Sequence, residues 1–273
     1  MITRRDLLLG TGAFALGSLF APAFSFAEEK KNIPICLQLY SIGGISNDPA
    51  KRFAELAAMG YKGVEYAGFG ASAKDLRKFQ DDAGLFCTGS HTGRGQIENL
   101  EELKKTIEFH VELGAKFIIC PGMGNSGVDG WKRAAENFSK AAEEAAKAGL
   151  YVGYHAHQHD FDIVDKEKGL SSWEVFADNS CDSVQLQIDL GHCVNRGADP
   201  YKLIAKYPGR TKTIHIKESD NKIIGEGRVD WKRALELCKT VGGTEVYTIE
   251  YEGPMNRMEA VKLDLEGFVK VGA

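Results

Sequence analysis

The sequence predicts a (β/α)8 barrel built as one domain. Short apolar runs of β type alternate eight times with segments of helical periodicity, over about 240 residues. Strands that alternate with helices pair in parallel, and eight such units of this total length are typical of a closed barrel. A doubly wound open sheet is the structural alternative. No linker, low-complexity tract or second domain interrupts the alternation.

The first half of the chain carries four of these units. The first helix begins at Asp48-Pro49, because aspartate caps a helix N-terminus and proline suits the first helical position, and Gly60 ends it. The next two helices are expected at 73–83 and 100–113. The four strands are expected at 34–40, 63–66, 85–91 and 117–120.

The second half repeats the pattern. The fourth helix is the clearest, with apolar residues at helical spacing from Trp131 to Ala146 and Gly149 at its end. Further helices are expected at 171–178, from the Asp199-Pro200 start, at 230–237 after the cap Asp230, and at 255–269. The strands are expected at 151–155, 184–190, 211–216 and 245–250.

The N-terminal segment predicts export and not part of the fold. Arg4 and Arg5 precede an apolar run to about Phe26, and small residues suit cleavage after Ala27. We therefore expect a twin-arginine signal peptide at 1–27, a barrel domain at 28–273, and a periplasmic or extracellular protein without a membrane partner once the signal is removed. A membrane anchor is the alternative. Because this route carries folded proteins, it suits an enzyme that acquires its metal before export.

Composition narrows the class of partner. The chain has 43% hydrophobic residues, a net charge of −4 and a pI near 6.0, which argues against nucleic acid or an anionic membrane as partner. Its six cysteines form no C-x-x-C pair, which favours buried free thiols and leaves one disulfide possible. A homo-oligomer is compatible with the sequence.

Polar side chains are concentrated at the predicted strand ends. Asp189, His215 and Glu250 each end a strongly apolar run, and burying such groups without compensation would cost several kcal/mol. Because active sites of such barrels lie at the carboxyl ends of the strands, we predict one divalent metal ion there: Mn²⁺, Co²⁺, Zn²⁺ or Mg²⁺. The remaining polar residues at strand ends are Glu65, His91, His155, His157, His192, Lys217 and Glu252. Glu65 or Glu252, taken alone, could instead be an ordinary carboxylate that is solvated or held in a salt bridge.

Four short motifs resemble the xylose isomerase-like barrel superfamily: Q-I-D-L-G-H, H-I-K-E, G-E-G-R-V-D-W and I-E-Y-E. The resemblance covers essentially the whole mature chain. It implies a cation held by His155, Asp189, His215 and Glu250, with His192 and Lys217 facing substrate. Many epimerases of the superfamily carry glutamate on strand five, where this chain has His155 in H-A-H, as in the inosose dehydratase branch.

These features lead to a functional hypothesis. A metal-dependent sugar isomerase or epimerase would remove a proton beside a carbonyl and pass through an enediolate whose charge the cation stabilises. Elimination of a β-substituent from a 3-keto-sugar or keto-inositol is the alternative, motivated by His155 and by export. A non-catalytic sugar-binding barrel and an apurinic-site endonuclease are further alternatives; the acidic balance argues against the endonuclease.

The assigned catalytic residues are Glu250, His155, His157 and Lys217, and the assigned substrate-binding residues are Glu65, His91, His192, Tyr40 and Trp231.

The export hypothesis has a direct test. Replacing Arg4 and Arg5 by Lys should reduce the exported fraction at least about tenfold, because the export receptor reads the arginine pair. Cell fractionation and N-terminal sequencing measure the outcome, with Lys30→Arg and Lys31→Arg as a control beyond the expected cleavage point. Wild-type protein that keeps residues 1–27 and stays in the cytoplasm would contradict the hypothesis.

Overall fold

Eight parallel strands form one sheet that curves into a barrel. The structure is a computed structural model and describes residues 32–124 and 127–273; the predicted signal peptide at 1–27 lies outside the described residues. The predicted alternation of strands and helices is confirmed. The strands are β1 Ile35–Gln38, β2 Gly63–Tyr66, β3 Phe86–His91, β4 Phe117–Cys120, β5 Tyr151–His155, β6 Gln185–Gln187, β7 Thr213–Ile216 and β8 Val246–Ile249.

The barrel closes between β6 and β7. The hydrogen-bonded order of the strands is β6-β5-β4-β3-β2-β1-β8-β7, which leaves β6 and β7 at the two edges of the sheet. An isolated parallel bridge between Asp189 and His215 joins these edges, and His215 donates its backbone N–H to the Ile188 carbonyl at 2.9 Å. The seam of the barrel therefore closes at two of the predicted metal ligands.

Helices follow the strands along the chain and cover the outside of the barrel. The first shows why they form where they do: the Asp48 side chain accepts from the Lys51 N–H, and Pro49 occupies the first turn. Gly60 ends this helix at φ +113°, a left-handed conformation that favours glycine. The helices are α1 Pro49–Met59, α2 Ala73–Asp82, α3 Arg94–Glu98, α4 Leu100–Leu113, α5 Gly127–Ala146, α6 Ser172–Asn179, α7 Leu190–Asn195, α8 Pro200–Lys206, α9 Trp231–Lys239 and α10 Arg257–Lys270.

Several short elements were not predicted, among them three 3-10 turns at Leu39–Ile42, Gln158–Phe161 and Ser219–Asn221. The expected strand 184–190 is wrong at its end, because Asp189 accepts from the His192 N–H and so caps α7. Helix α3 and an antiparallel ribbon of Ile163–Asp165 with Leu170–Ser171 complete the set. Elements of two to six residues are too short to show a hydrophobic period, so the pattern of the sequence did not reveal them.

The interior of the barrel has an apolar and a polar layer. Four apolar side chains pack together near the amino ends of the strands, and each is at most 3% exposed: Cys36, Phe117, Ile119 and Val246. Towards the carboxyl ends the buried side chains become polar. Because buried polar groups need partners, this second layer must bond to itself or to a ligand.

The six cysteines are free, as expected, and five of them are buried. No helix within the described ranges is both long enough and apolar enough to span a bilayer.

One buried acid lies apart from the barrel mouth, on α10. Asp264 is about 1% exposed and accepts from the Ile224 N–H at 2.9 Å, tying the segment after β7 to this helix. Burial raises the pKa of the Asp264 carboxyl to about 7. The folded state therefore favours its neutral form.

Stability should depend on pH through this residue. Between about pH 4 and pH 7 the unfolded chain loses the Asp264 proton while the folded chain keeps it, so the free energy of unfolding falls as pH rises. Asp264→Asn stays neutral and should gain stability relative to wild type over this interval, by up to about 4 kcal/mol. Urea unfolding of both proteins at several pH values measures the difference. Parallel curves for the two proteins would contradict the assignment.

Candidate metal centre

Four potential ligands meet where the ends of β5 to β8 converge. His155 ends β5, Asp189 follows β6, His215 lies in β7 and Glu250 follows β8. One ligand atom from each lies within 4.8 Å of the ligand atoms of the others. All four side chains are buried. The structure thus brings together the set that the superfamily resemblance implies.

The hydrogen bonding of this group fits a cation. Neither ring nitrogen of His155 has a hydrogen-bond partner among the described residues, and the same holds for Asp189 Oδ2. Burial, followed by the neighbouring His215 and His91, holds the pKa of His155 well below its usual range, so its ring is neutral and offers a lone pair. Two imidazoles and two carboxylates form a mixed nitrogen and oxygen donor set that suits Zn²⁺, Mn²⁺ or Co²⁺.

Protein cations balance the two carboxylates within the described structure. Lys217 Nζ lies 3.9 Å from Asp189 and 3.7 Å from Glu250, and His215 Nδ1 lies 2.9 Å from Glu250 Oε2. Burial alone would lower the pKa of His215, but Glu250 and Glu65 raise it to about 10. Burial would also raise the pKa of Glu250, yet Lys217 and His215 hold it below its usual range. Cation binding at this site must displace the His215 proton.

Lys217 also belongs to a second polar cluster at the mouth. Its ammonium group is buried, forms an ion pair with Glu252 and lies 3.2 Å from His192 Nε2. Gly191 allows this contact, since a Cβ at that position would lie 2.5 Å from the Glu218 carbonyl oxygen. Helix α7 can therefore approach the end of β7 closely. His192 and Lys217 therefore lie together beside the four candidate ligands.

Glu65 does not occupy the predicted substrate-binding position. Its side chain is fully buried, and its oxygens accept from Gln38 Nε2 at 2.6 Å, Gln187 Nε2 at 2.8 Å and His215 Nε2 at 2.8 Å. With its acceptor sites taken by the protein, it supports the ligands from inside the barrel. No sequence pattern singled out Gln38 and Gln187, although both stand at strand ends next to acidic or metal-binding positions.

His91 and His157 lie beside the four ligands. The His91 ring stacks on His215 with centroids 5.4 Å apart, and its Nε2 lies 3.2 Å from Glu65 Oε1. His91, His155 and His215 form a second possible ligand set. The His157 ring lies 4.8 Å from that of His155, and burial followed by His192 lowers the pKa of His157 to about 4.

The two predicted aromatic contacts differ in accessibility. Tyr40 is 54% exposed and lines a cavity of about 370 Å³ between residues 40–45 and 67–70, after β1 and β2. Trp231 is buried, donates from Nε1 to Glu218 and packs against Phe268. Its assignment to substrate binding is wrong, because a buried indole at the start of α9 has no free face for a sugar ring.

The G-E-G-R segment has a structural role. Glu218 is buried and accepts from the Gly225 N–H at 3.1 Å and the Val229 N–H at 3.2 Å, as well as from Trp231. The segment therefore wraps around one carboxylate.

Comparison with known families agrees with this architecture. The model of the family described as xylose isomerase-like TIM barrel matches residues 53–270. The chain belongs to the xylose isomerase-like TIM barrel family.

Individual members of the family differ in what they do. An inosose dehydratase from Clostridium beijerinckii is 26% identical over 202 residues, which cover 64% of this chain and 65% of that protein. A solved sugar phosphate isomerase/epimerase from Parabacteroides distasonis is 26% identical with a TM-score of 0.78, covering 92% of this chain and 99% of that one. The IolI protein with a bound zinc atom, at 17% identity and a TM-score of 0.68 over 87% and 97% of the two chains, shares the fold.

The names of these relatives give different reactions: the curated relative is named a dehydratase, and the Parabacteroides distasonis structure a sugar phosphate isomerase/epimerase. The chain spans 65% of the length of the curated relative. Apart from these names, the unpartnered buried donors of His155 and Asp189 fit a divalent metal.

Asp189 provides a test of the metal set. Asp189→Asn keeps an oxygen that can cap α7 but loses the charge that a cation needs, so bound divalent metal should fall about tenfold or more after dialysis. Elemental analysis of the purified protein measures it. His159→Ala is the matched control, because that histidine side chain is 70% exposed near the mouth and lies outside both ligand sets. Equal metal content in wild type and Asp189→Asn would remove Asp189 from the set.

Proposed function

We propose that this protein is a divalent-metal-dependent lyase that removes a proton beside the carbonyl of a keto-sugar or keto-inositol and expels a β-oxygen substituent. The observation that carries the proposal is the distribution of proton carriers around the ligands. Glu250 and Glu252 both follow β8, and Lys217 lies between them. They face the mouth from one side of the barrel.

Among the described residues, the wall of the barrel opposite β8 carries histidines and not carboxylates at the candidate site. In an eight-stranded barrel β8 stands across from β4, so β3 and β5 lie on the far wall, with His91, His155 and His157. His155 and His157 have lowered pKa values and are neutral near pH 7. Epimerisation needs a group on each face, one to take the proton and one to return it. Near pH 7 the neutral His157 ring has no spare proton to return to carbon, so a carboxylate base on the face of β8 favours elimination or isomerisation.

The residues can complete an elimination without an external reagent. When bound, the cation would polarise the substrate carbonyl and stabilise the negative charge that develops beside it. Glu250 accepts the proton from carbon, the carbon–oxygen bond breaks as the carbon–carbon double bond forms, and Lys217 gives a proton to the departing oxygen. Glu250 and Lys217 are 3.7 Å apart, so the proton can pass back to Lys217 and restore the site.

The cavity beside Tyr40 supports a sugar-like substrate. Glycine and apolar residues form most of its walls, and Tyr40 presents an exposed ring there. The Arg257 guanidinium lies beside it, 3.4 Å from the Tyr40 carbonyl oxygen. Aromatic faces pack well against the apolar faces of sugar rings. These features are consistent with a keto-sugar or keto-glycoside. The predicted signal peptide is consistent with such a substrate, and we propose that the enzyme acts outside the cytoplasm.

Isomerisation is the second candidate. It uses the same proton abstraction and the same face, and the Parabacteroides distasonis relative is described as a sugar phosphate isomerase/epimerase. The two outcomes differ in the fate of the substituent next to the acidic carbon. Elimination yields an enone and a released oxygen substituent, whereas isomerisation keeps every substituent.

The role of Lys217 separates these outcomes experimentally. Metal-loaded protein is incubated in D₂O with a 3-keto-glucoside or a keto-inositol, and enone absorbance and deuterium uptake are followed together. Lys217→Met should slow enone formation by about 10²- to 10³-fold while leaving carbon–hydrogen exchange, because Glu250 still takes the proton.

His159→Ala serves as the unaffected control in this assay. Deuterium uptake by wild type without an enone would replace elimination by isomerisation. A metal-loaded protein that neither exchanges nor eliminates with any of these ketones would leave the sugar-binding barrel as the better description.

A further inference from the structure

Glu65 holds the centre of the polar layer beneath the candidate metal centre. It is fully buried, and the donors around it come from four different strands: Gln38 of β1, Gln187 of β6, His215 of β7 and His91 of β3. His215 Nε2 lies 2.8 Å and His91 Nε2 lies 3.2 Å from the same oxygen, Oε1. Nothing in the proposed reaction uses this carboxylate.

The position of Glu65 matters because two metal sites overlap above it. One set consists of His155, Asp189, His215 and Glu250; the other consists of His91, His155 and His215. They share two histidines, but the five residues together do not form one ligand group. The first set has two nitrogen and two oxygen donors, and the second has nitrogen donors alone. Their preferences among metals differ accordingly.

The two nitrogens of His215 point to different groups. Nδ1 lies 2.9 Å from Glu250 Oε2, and Nε2 lies 2.8 Å from Glu65 Oε1. Both nitrogens therefore face a carboxylate, and a carboxylate accepts hydrogen bonds. A cation held by Asp189 and Glu250 would take the place of the Nδ1 proton, whereas Glu65, which lies outside the ligand set, keeps the proton on Nε2. The lone pair available to a metal is then the one at Nδ1, on the side of Asp189 and Glu250. Hydrogen bonds of this kind set the tautomer and orientation of metal-binding histidines.

We propose that Glu65 is the positioning residue that commits the cation to the mixed set and excludes His91 as a ligand. It does so by accepting from His215 Nε2 and by lying 3.2 Å from His91 Nε2, which also lies 3.4 Å from Gln187 Oε1. The inference rests on the proposed metal centre and adds the reason why one of two overlapping sites is used.

The carboxylate is itself held in place. Gln187 Nε2 donates to Glu65 Oε2 at 2.8 Å and to Thr213 Oγ1 at 3.0 Å. Gln38 Nε2 donates to Oε1 at 2.6 Å, and Gln38 Oε1 accepts from the Tyr40 N–H at 3.2 Å. These contacts tie Glu65 to the backbone after β1 and to the wall of β7. It therefore cannot turn away from the histidines without breaking several buried hydrogen bonds.

The experiment compares Zn²⁺ binding in wild type, Glu65→Gln and Thr248→Val. Glutamine preserves the volume of Glu65 but brings an amide that can also donate. Thr248 is the matched control: it is buried, pairs with His215 in the β7–β8 register, and its hydroxyl has no hydrogen-bond partner in the described part of the chain. Competition with a chelator gives the Zn²⁺ affinity, and ¹⁵N NMR of the histidine rings shows which nitrogens bind the ion.

Wild type should bind Zn²⁺ through Nδ1 of His215, with His91 free. Glu65→Gln should bind Zn²⁺ about 10- to 100-fold more weakly, and its spectra should show Nε2 coordination by His215 or a new bond to His91. Thr248→Val should match wild type in both respects. A purely structural role for Glu65 would weaken binding without changing which nitrogen binds.

Three results would overturn the inference. The first is coordination of wild-type His215 through Nε2. The second is a Glu65→Gln variant in which the same histidine nitrogens bind Zn²⁺ as in wild type, whether or not the affinity is weaker. This result leaves the proposed metal centre intact and rejects only the role of Glu65. The third is a wild-type protein that binds no Zn²⁺, Mn²⁺ or Co²⁺, which would reject the metal centre and the inference together.

Discussion

The structure depends on the burial of unsatisfied ligand atoms at the point where the barrel closes. Asp189 and His215 form the bridge between the two edge strands and also belong to the candidate ligand set. Both ring nitrogens of His155 and one oxygen of Asp189 lack hydrogen bonds among the described residues. Leaving such groups buried and unpaired is costly, so closure of this barrel and binding of a cation share one set of side chains.

A graded interior surrounds that point. Apolar side chains fill the amino end of the barrel, an amide and carboxylate layer centred on Glu65 lies above them, and the ligands lie above that layer. The Glu65 layer is hydrogen-bonded to the ligand layer through His215. Lys217 and Glu252, the proposed proton carriers, lie at the mouth beside the candidate ligands, where α7 closely approaches the end of β7. The site is therefore densely hydrogen-bonded beneath the candidate ligands.

Membership of the xylose isomerase-like family establishes the fold but does not identify the reaction. Relatives at 26% identity include both a dehydratase and an isomerase/epimerase. The distribution of charge around the shared centre is what distinguishes the outcomes. The resemblance implies that His155 stands where many epimerases of the family have a glutamate, and carboxylates at the mouth follow β8. That asymmetry is the physical basis for proposing elimination.

The sequence by itself determined the order of strands and helices, the helix starts at Asp48-Pro49 and Asp199-Pro200, and the strand-end residues that meet at the mouth. These follow from local periodicity, capping chemistry and the rule that parallel strands end at one face. Only the tertiary structure decided that Glu65 supports the ligands, that Trp231 is buried and that Asp189 caps a helix. Those outcomes depend on contacts between residues far apart in the chain, such as Glu65 with His215, which no local pattern encodes.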